Sequence, residues 1–169
     1  MNRVWLVVMG VSGCGKSSMG AALAMAFGLP LIEGDDHHPP ANVDKMSRGI
    51  ALTDADRAGW LATLGRALAD APQGAVMTCS ALKRSYRDQL RAAAPGLRFV
   101  FMQIDRAEAE RRVAARAGAG LHMFPASLVD NQFATLESPV GEAGVLAVDA
   151  TAPLAQSVGV VRDWLADAG

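Results

Sequence analysis

Residues 3–17 read RVWLVVMGVSGCGKS, and this stretch decides the fold. Its first seven residues are almost all hydrophobic, which predicts a central strand that is buried on both faces. The segment that follows, from Lys16 to Phe27, has a helical period. One stripe of that helix holds Met19, Ala22, Leu23, Ala26 and Phe27. The glycine-rich residues between strand and helix therefore form the turn from a buried strand into an amphipathic helix.

That turn, from Gly10 to Ser17, matches the pattern G-x-x-x-x-G-K-[ST] of a phosphate-binding loop. Glycines let the loop curl with its N–H groups pointing at phosphate oxygens, and the helix N-terminus adds partial positive charge. Lys16 is predicted to bridge the β- and γ-phosphates of ATP, and the Ser17 hydroxyl to ligate Mg²⁺. The predicted nucleotide-binding residues are Gly10, Val11, Ser12, Gly13, Cys14, Gly15, Lys16, Ser17 and Ser18. The loop alone does not separate kinases from GTPase switches, motor ATPases or nucleotide sensors.

Length and composition narrow the class of protein. The 169 residues predict one domain, residues 1–169, and the net charge of −1 argues against a nucleic-acid-binding protein. The apolar run at residues 4–11 is too short for a membrane helix. Cys14 and Cys79 form no close pair, so neither a disulfide framework nor a zinc site is expected. These features predict a reduced, cytoplasmic protein with no membrane or nucleic-acid partner.

Short hydrophobic runs alternate with segments of helical period, which predicts an α/β fold with a mostly parallel sheet. The predicted strands are residues 3–9, 29–33, 75–79, 97–104 and 145–149. Helices are predicted at residues 16–27, 54–69, 83–94 and 125–136, in a charged segment around Glu108 and Arg112, and after Pro153. Glycine, proline and asparagine recur in residues 34–52, which predicts a loop-rich stretch there.

The acceptor of a phosphoryl group is expected beyond the carboxyl ends of the strands, where ligands of open parallel sheets bind. Asp35 follows the second strand and is the candidate to orient or deprotonate an attacking hydroxyl. The same position also suits an ordinary turn residue beside Gly34. Adjacent His37 and His38 suggest a metal, but no further Cys or His lies at ligand spacing.

Cations for an anionic substrate are predicted on two helices and beside a lid. Lys83, Arg87 and Arg91 are spaced four residues apart after the third strand, and Arg87 has the fork geometry for a carboxylate. Arg91 fits a solvated surface better. Arg57 stands near a helix start, where a cation is unfavourable unless a ligand uses it. Arg116 precedes a glycine-containing lid at about residues 117–126 and is predicted to reach the phosphates, while Arg112 is expected to pair with Glu108.

The same residues carry a resemblance to the gluconokinase family, and it extends over nearly the whole chain. The matching motifs are Gly10–Ser17, Gly34-Asp35 with His38-Pro39, Asn42, Lys45-Met46, Gly49, Asp54–Arg57 with Trp60, Cys79-Ser80-Ala81-Leu82-Lys83 with Tyr86-Arg87-Asp88, and His122 through Pro125–Leu128 to Gln132-Phe133 and Leu136-Glu137. The CSALK segment followed by YRD is highly characteristic of that family. Cys14 stands where the family more often has serine.

This resemblance implies ATP:D-gluconate 6-phosphotransferase activity, a requirement for Mg²⁺ and commonly a homodimer. It also implies a three-layer P-loop NTPase fold with a five-stranded parallel sheet, helices on both faces and a small lid. Gluconate would place its carboxylate near cations and its hydroxyls near Asp35, His38 and Gln132. The primary hydroxyl would be the nucleophile.

Two other functions remain open at this point. A kinase of another small hydroxy acid, such as shikimate, would share the loop and the aspartate, although shikimate kinases usually carry a glycine triplet where Ser80–Lys83 stands here. A non-catalytic nucleotide sensor would not need Asp35, Lys83 and Arg87 around an acceptor pocket. Asp35 also has two possible roles, as the base or as a group that reaches the metal's water shell.

Overall fold

The computed structural model describes residues 3–118 and 128–168. The strands are β1 (Val4–Met9), β2 (Leu31–Glu33), β3 (Gly74–Thr78), β4 (Arg98–Gln103) and β5 (Val145–Asp149). The helices are α1 (Lys16–Phe27), α2 (Pro40–Ser47), α3 (Asp54–Ala69), α4 (Arg84–Ala93), α5 (Arg106–Gly118), α6 (Leu128–Thr135) and α7 (Leu154–Ala168). The predicted strands and helices are confirmed, with ends that differ by a few residues, except that the predicted helix start at residues 125–127 lies outside the described residues.

All five strands are parallel and lie in the order β2-β3-β1-β4-β5. The first strand is central, with Val7 beside Met77 of β3 on one side and beside Phe99 of β4 on the other. Because the chain leaves β1 toward one edge of the sheet and later returns to its other side, a crevice forms at the carboxyl end of β1. The glycine loop of residues 10–15 follows β1 at that crevice.

Side chains that alternate along β1 pack on opposite faces of the sheet and create two buried cores. Leu6 and Val8 join one hydrophobic cluster, which includes residues of α1, α5 and α7. Val7 and Met9 join a second cluster, which includes residues of α3 and α4. The three-layer α/β arrangement, with helices on both faces of a five-stranded parallel sheet, is therefore confirmed.

One helix was not predicted. Residues 34–52 are predicted to be rich in loop, whereas Gly34–His37 is a 3₁₀ turn and Pro40–Ser47 is α2. Pro40 occupies the first turn of α2, where its missing N–H costs nothing. Asn42 and Met46, four residues apart, are buried on one face. The sequence pattern thus did not indicate α2, because proline is a signal of loops as well as of helix starts.

The predicted lid at about residues 117–126 lies almost entirely outside the described residues, since only its first two residues belong to the end of α5. Within residues 3–118 and 128–168, no helix is both long and apolar enough to cross a membrane.

Candidate active site

The glycine loop has the backbone conformation that a phosphate-binding turn requires. Gly13 and Gly15 have φ angles of 85° and 93°, a region that side chains disfavour. A Cβ on Gly13 would lie 2.8 Å from the carbonyl oxygen of Ala109 in α5, so the loop packs directly on that helix. Gly15 caps α1, and the N-terminal amides of α1 follow it. The loop therefore combines backbone amides with the positive end of a helix, the arrangement that binds phosphate.

Lys16 and Ser17 stand at the first turn of α1. Lys16 Nζ donates to the carbonyl oxygens of Gly10 and Val11 at 3.0 and 3.1 Å, so its ammonium lies over the loop. Ser17 Oγ donates to Glu33 Oε2 at 3.2 Å. The same carboxylate oxygen accepts from Thr78 Oγ1 at 2.5 Å. Glu33 and Thr78 come from the ends of β2 and β3, and sequence reasoning did not single out either of them.

The oxygen atoms around Ser17 suit a magnesium ion, which prefers hard oxygen ligands and usually keeps several waters. The Ser17 hydroxyl is the direct candidate, and the Glu33 carboxylate beside it adds negative charge. Among the described residues no group of three or more His, Cys, Asp or Glu side chains forms a metal cage. A metal held through the Ser17 hydroxyl and the substrate phosphates would need no such cage.

Arg112 ties the glycine loop to the end of the sheet, a contact that the sequence did not indicate. Its guanidinium donates to Glu108 at 3.1 Å, as predicted, and also to the carbonyl oxygens of Gly13 and Ala150, both at 3.2 Å. The ion pair could be inferred from the i,i+4 spacing. The other two contacts join segments 99 and 38 residues away, which no local pattern reveals.

A cleft opens beside the loop and brings together Lys16 and four of the six predicted substrate-binding residues. Its lining residues are Ser12, Lys16, Asp35, His38, Met46, Leu52, Arg57, Trp60, Ser80 and Gln132. A second pocket shares Met46, Leu52, Arg57 and Gln132 with this lining, so the two are adjoining parts of one cleft. A larger open cavity at the ends of β4 and β5 contains none of the predicted site residues. The cleft beside Lys16 is thus the candidate acceptor site.

Asp35 lies at this cleft with 47% of its side chain exposed. The surrounding protein would raise the pKa of the carboxyl by desolvation, but His38 and the charge of Lys16 outweigh that effect and lower it below the usual value of 3.8. Asp35 is therefore ionised at neutral pH. An ionised carboxylate beside Lys16 can accept a hydrogen bond from an attacking hydroxyl.

His38 and Gln132 line the cleft but already have protein partners. The His38 ring stacks on Trp60 with centroids 4.0 Å apart, and its nitrogens face Asn42 and Asp35. Gln132 Oε1, from α6, accepts from the backbone N–H of Ser12 at 2.5 Å. These contacts favour a supporting role for His38. The Gln132 hydrogen bond joins α6 directly to the phosphate-binding loop.

Arg57 is a second cation of the cleft besides Lys16, and a small cluster of residues holds it in place. Its Nη1 donates to the carbonyl oxygen of Leu52 and to the hydroxyl of Tyr86, both at 3.1 Å. The Tyr86 hydroxyl in turn donates to Asp54, which also accepts from Lys83 Nζ at 2.9 Å. Lys83 therefore lies in an ion pair outside the cleft lining, where it supports the position of Arg57 through Asp54 and Tyr86.

Arg87 is placed differently from the sequence expectation. Its side chain is fully buried and forms a two-pronged ion pair with Glu142, at 3.1 and 2.6 Å. It also donates to the carbonyl oxygens of Ala81 and Glu137. Since every guanidinium nitrogen has a protein partner, this geometry argues against a substrate contact and assigns Arg87 to holding the ends of β3 and α6 together. Arg91 shares Glu142, at 2.8 Å.

Replacing Glu142 with glutamine is expected to lower the free energy of unfolding at pH 7 by about 3 kcal/mol, because it leaves the buried Arg87 charge uncompensated. Desolvation would raise the pKa of Glu142, but Arg87 and Arg91 hold it below its ordinary value of 4.5. The ion pair thus stabilises the fold fully above that value, and the stabilisation is lost as pH falls below it. The difference between wild type and variant should therefore shrink in acid.

Urea unfolding followed by circular dichroism measures this effect. The control is Asp44→Asn, which removes an exposed ion pair to Arg48 with both side chains 62% exposed and should cost less than about 1 kcal/mol. Equal, small effects of the two substitutions at pH 7 would show that the Arg87 pair does not stabilise the fold.

The remaining predicted residues are placed as follows. Arg116 is exposed in the last turn of α5, directly before residues 119–127 in the chain. Ser18 is exposed in the first turn of α1. Both cysteines are buried and free, and burial raises the pKa of the Cys79 thiol to about 12, so Cys79 is an unreactive packing residue.

Comparison with known proteins places this geometry in a family. A family model described as an AAA domain matches residues 5–139. Gluconokinase from Gluconobacter oxydans (strain 621H) is 50% identical over 147 residues, which cover 85% of this chain and 81% of that protein. The thermosensitive gluconokinase of Escherichia coli (strain K12) is 40% identical over 136 residues, with coverage of 79% and 71%.

Solved structures agree with the sequence relatives. The crystal structure of a gluconokinase from Sinorhizobium meliloti 1021 has a TM-score of 0.85 and 47% identity, and the match covers 99% of each chain. An unliganded sugar kinase from Janibacter sp. HTCC2649 has a TM-score of 0.89 and 39% identity, with coverage of 97% and 95%. With the glycine loop, the Asp35 cleft and these relatives taken together, the chain belongs to the gluconokinase family of P-loop kinases.

Proposed function

We propose that this enzyme transfers the γ-phosphoryl group of ATP to the primary hydroxyl of D-gluconate and so forms 6-phospho-D-gluconate. The observation that carries the proposal is the single cleft that joins Lys16 of the phosphate-binding loop to Asp35 and Arg57. A nucleotide phosphate bound to the loop would face that cleft. The gluconokinases among the relatives, at up to 50% identity, support the choice of acceptor.

The cleft presents a negatively charged group to one end of gluconate and a positively charged group to the other. Asp35 is an ionised hydrogen-bond acceptor, and Arg57 is a cation held by Tyr86 and Leu52. Among the described residues, no protein acceptor engages Nε or Nη2 of Arg57, so these donors are available to a carboxylate. We assign Asp35 to the hydroxyl end of gluconate and Arg57 to the carboxylate end. Ser80 and Gln132 provide polar groups for the hydroxyls between them.

In the proposed reaction the acceptor oxygen forms a bond to the γ-phosphorus while the bond from that phosphorus to the β,γ-bridging oxygen breaks. The hydroxyl proton passes to the Asp35 carboxylate or to solvent, and ADP leaves with the bonding electrons. Lys16 and the loop amides stabilise the charge on the phosphate oxygens. Magnesium, when bound at Ser17, supplies further charge neutralisation for the β- and γ-phosphates.

An assay of ADP release with MgATP tests the proposal across gluconate, other sugar acids, shikimate and a sample without acceptor. Rapid turnover with gluconate is expected. Turnover confined to shikimate would overturn the choice of acceptor, and nucleotide binding without any acceptor-dependent turnover would favour the sensor instead. The arrangement of Asp35 and Arg57 in one cleft with Lys16 already favours a kinase, because a sensor needs no acceptor pocket.

Replacing Arg57 with methionine is expected to raise the KM for gluconate by roughly 10- to 100-fold, as for loss of a charged hydrogen bond. The KM for ATP should change by less than about twofold, because the hydrogen bonds of Arg57 within the described part of the chain go to Leu52 and Tyr86 and not to the loop. Steady-state kinetics with each substrate varied in turn measures both values. The control is Arg66→Met, on the exposed side of the same helix. An unchanged KM for gluconate in Arg57→Met would contradict the assignment.

Several features of the enzyme stay predictions. These are the single domain, the homodimer, the cytoplasmic location, and a lid from which Arg116 reaches the phosphates. Sedimentation equilibrium tests the dimer.

The Arg116→Met variant tests the predicted contact of Arg116 with the phosphates. Loss of turnover at an unchanged melting temperature would support that contact, and wild-type turnover would contradict it.

A further inference from the structure

Three polar side chains form a chain behind the acceptor cleft. Asn42 Nδ2 lies 3.2 Å from His38 Nδ1, and His38 Nε2 lies 3.6 Å from Asp35 Oδ1. Asn42 is 3% exposed, and the His38 side chain is also 3% exposed. Water therefore has little access to the histidine nitrogens, and the protein neighbours decide where the imidazole proton lies.

The orientation of the Asn42 amide follows from a second contact. The same Nδ2 atom lies 2.9 Å from the backbone carbonyl oxygen of Asp56 in α3. A carbonyl oxygen only accepts hydrogen bonds, so the group facing it must be the NH₂ and not the amide oxygen. The second hydrogen of that NH₂ points to His38 Nδ1. Asn42 thus presents a donor to both neighbours.

A donor at Nδ1 selects one tautomer of neutral histidine. Nδ1 must carry the lone pair that accepts from Asn42, so the proton of the ring must be on Nε2. That nitrogen faces the Asp35 carboxylate. The opposite tautomer would set two N–H donors against each other at Asn42 and a lone pair against a carboxylate at Asp35, and both contacts would be repulsive.

The plane of the histidine ring is also fixed. Trp60 stacks on it at 4.0 Å with an angle of 16° between the rings. The Trp60 indole is held in turn, because its Nε1 donates to the carbonyl oxygen of Gly34 at 2.8 Å. The direction of the Nε2–H bond is therefore set by packing as well as by the amide of Asn42.

We propose that Asn42 is a positioning residue for the phosphoryl transfer: it holds His38 as the Nε2–H tautomer, which directs a proton donor at Oδ1 of Asp35. The second oxygen of Asp35 is then left for the hydroxyl of the acceptor. The 3.6 Å separation is longer than a closed hydrogen bond, as is common for catalytic contacts before the substrate binds. This inference rests on the proposed role of Asp35 at the acceptor, but the tautomer itself does not.

Long-range ¹H–¹⁵N correlation NMR on protein labelled at histidine tests the tautomer directly in the wild-type enzyme. His37, His38 and His122 are the histidines of the chain, and the His38→Gln variant identifies the signals of His38. The expected pattern for neutral His38 has the proton on Nε2 and an unprotonated Nδ1. A proton on Nδ1 would overturn the proposal, whatever the enzyme's substrate proves to be.

Kinetics of matched variants test the consequence. Asn42→Asp keeps the side-chain shape but replaces the donor to Nδ1, and the donor to the Asp56 carbonyl oxygen, with a carboxylate. It should therefore place a proton on Nδ1 and release the fixed position of the ring, and kcat with gluconate should fall by about tenfold or more at a matched melting temperature. The KM for ATP should stay within about twofold. In the NMR experiment the Asn42→Asp protein should show a proton on Nδ1, and an unprotonated Nδ1 together with wild-type kcat would overturn the proposal.

Replacements of His38 provide a test that does not alter Asn42. His38→Gln can still direct an amide N–H at Asp35, whereas His38→Leu cannot. Glutamine is expected to retain at least about fivefold more of the wild-type kcat than leucine, at matched melting temperatures. Equal losses in the two variants would show that the donor to Asp35 has no role. If the wild-type enzyme does not phosphorylate gluconate at all, the proposed function fails while the NMR result on the tautomer stands.

Discussion

Replacing Lys16 with methionine is expected to lower kcat with MgATP and gluconate by at least about 10³-fold. The Lys16 ammonium lies over the carbonyl oxygens of Gly10 and Val11 and lines the same cleft as Asp35. Its ammonium is thus placed to stabilise the negative charge on the γ-phosphate oxygens while the phosphoryl group moves from donor to acceptor. Its removal should also raise the pKa of Asp35, since the charge of Lys16 helps to lower it.

Single-turnover measurements with radiolabelled ATP give the rate for this variant without interference from product release. The matched control is Arg48→Met, which removes an exposed cation beyond α2 and should leave kcat within about twofold of wild type. Circular dichroism and the melting temperature show whether each variant is folded. A folded Lys16→Met protein with kcat within tenfold of wild type would contradict the assignment of the glycine loop to phosphoryl transfer.

The second large effect is expected for Asp35→Asn, with kcat lowered by about 10²-fold or more and ATP affinity nearly unchanged. Asparagine keeps the size of the side chain but removes the ionised carboxylate that His38 and Lys16 stabilise. The acceptor hydroxyl then loses its charged hydrogen-bond acceptor. Asp35 is not part of the glycine loop, so a nucleotide should still bind.

Asp36→Asn is the matched control for Asp35, because Asp36 lies in the same 3₁₀ turn, is exposed and does not line the cleft. Its kcat should stay within about twofold of wild type. Calorimetric titration with a non-hydrolysable ATP analogue measures nucleotide affinity in both variants. Unchanged turnover in Asp35→Asn would remove Asp35 from the mechanism, and equal losses in both variants would indicate a general effect of charge in the turn.

The central strand and the glycine loop could be predicted from the sequence because both depend on neighbouring residues. Hydrophobic residues on both faces of β1 require a buried strand, and the loop spacing requires backbone that glycine alone adopts easily. Asp35 was predicted for a related reason, since the carboxyl end of a parallel strand is where ligands bind. The structure brings Asp35 and Lys16 to the same cleft.

The partner of Arg87 could not be predicted from the sequence. A spacing of four residues predicted that Lys83, Arg87 and Arg91 share one face of a helix, but the period does not say what packs on that face. The partner of Arg87 is Glu142, 55 residues further along the chain, in the segment after α6. Lys83 lies just before the first residue of α4 and pairs with Asp54 of α3. Only the tertiary fold reveals that Lys83 and Arg87 form ion pairs behind the cleft and do not line it.

Asn42 and Glu33 illustrate a second limit. Asn42 was noticed as part of a family motif, but its role depends on α2, which prolines at residues 39 and 40 concealed. Glu33 is an ordinary last residue of a strand until Ser17 and Thr78 are seen to share its carboxylate. Contacts of this kind are decided by the order of strands in the sheet, and no local pattern of residue types encodes that order.

The most direct test of the account is a ¹H–³¹P correlation NMR spectrum of the product that the enzyme forms from MgATP and D-gluconate. The expected product is a phosphate ester whose phosphorus couples to the two protons on carbon 6, and one ADP is expected for each ester formed. A phosphate attached to any other carbon, or ADP released without a gluconate ester, would contradict it.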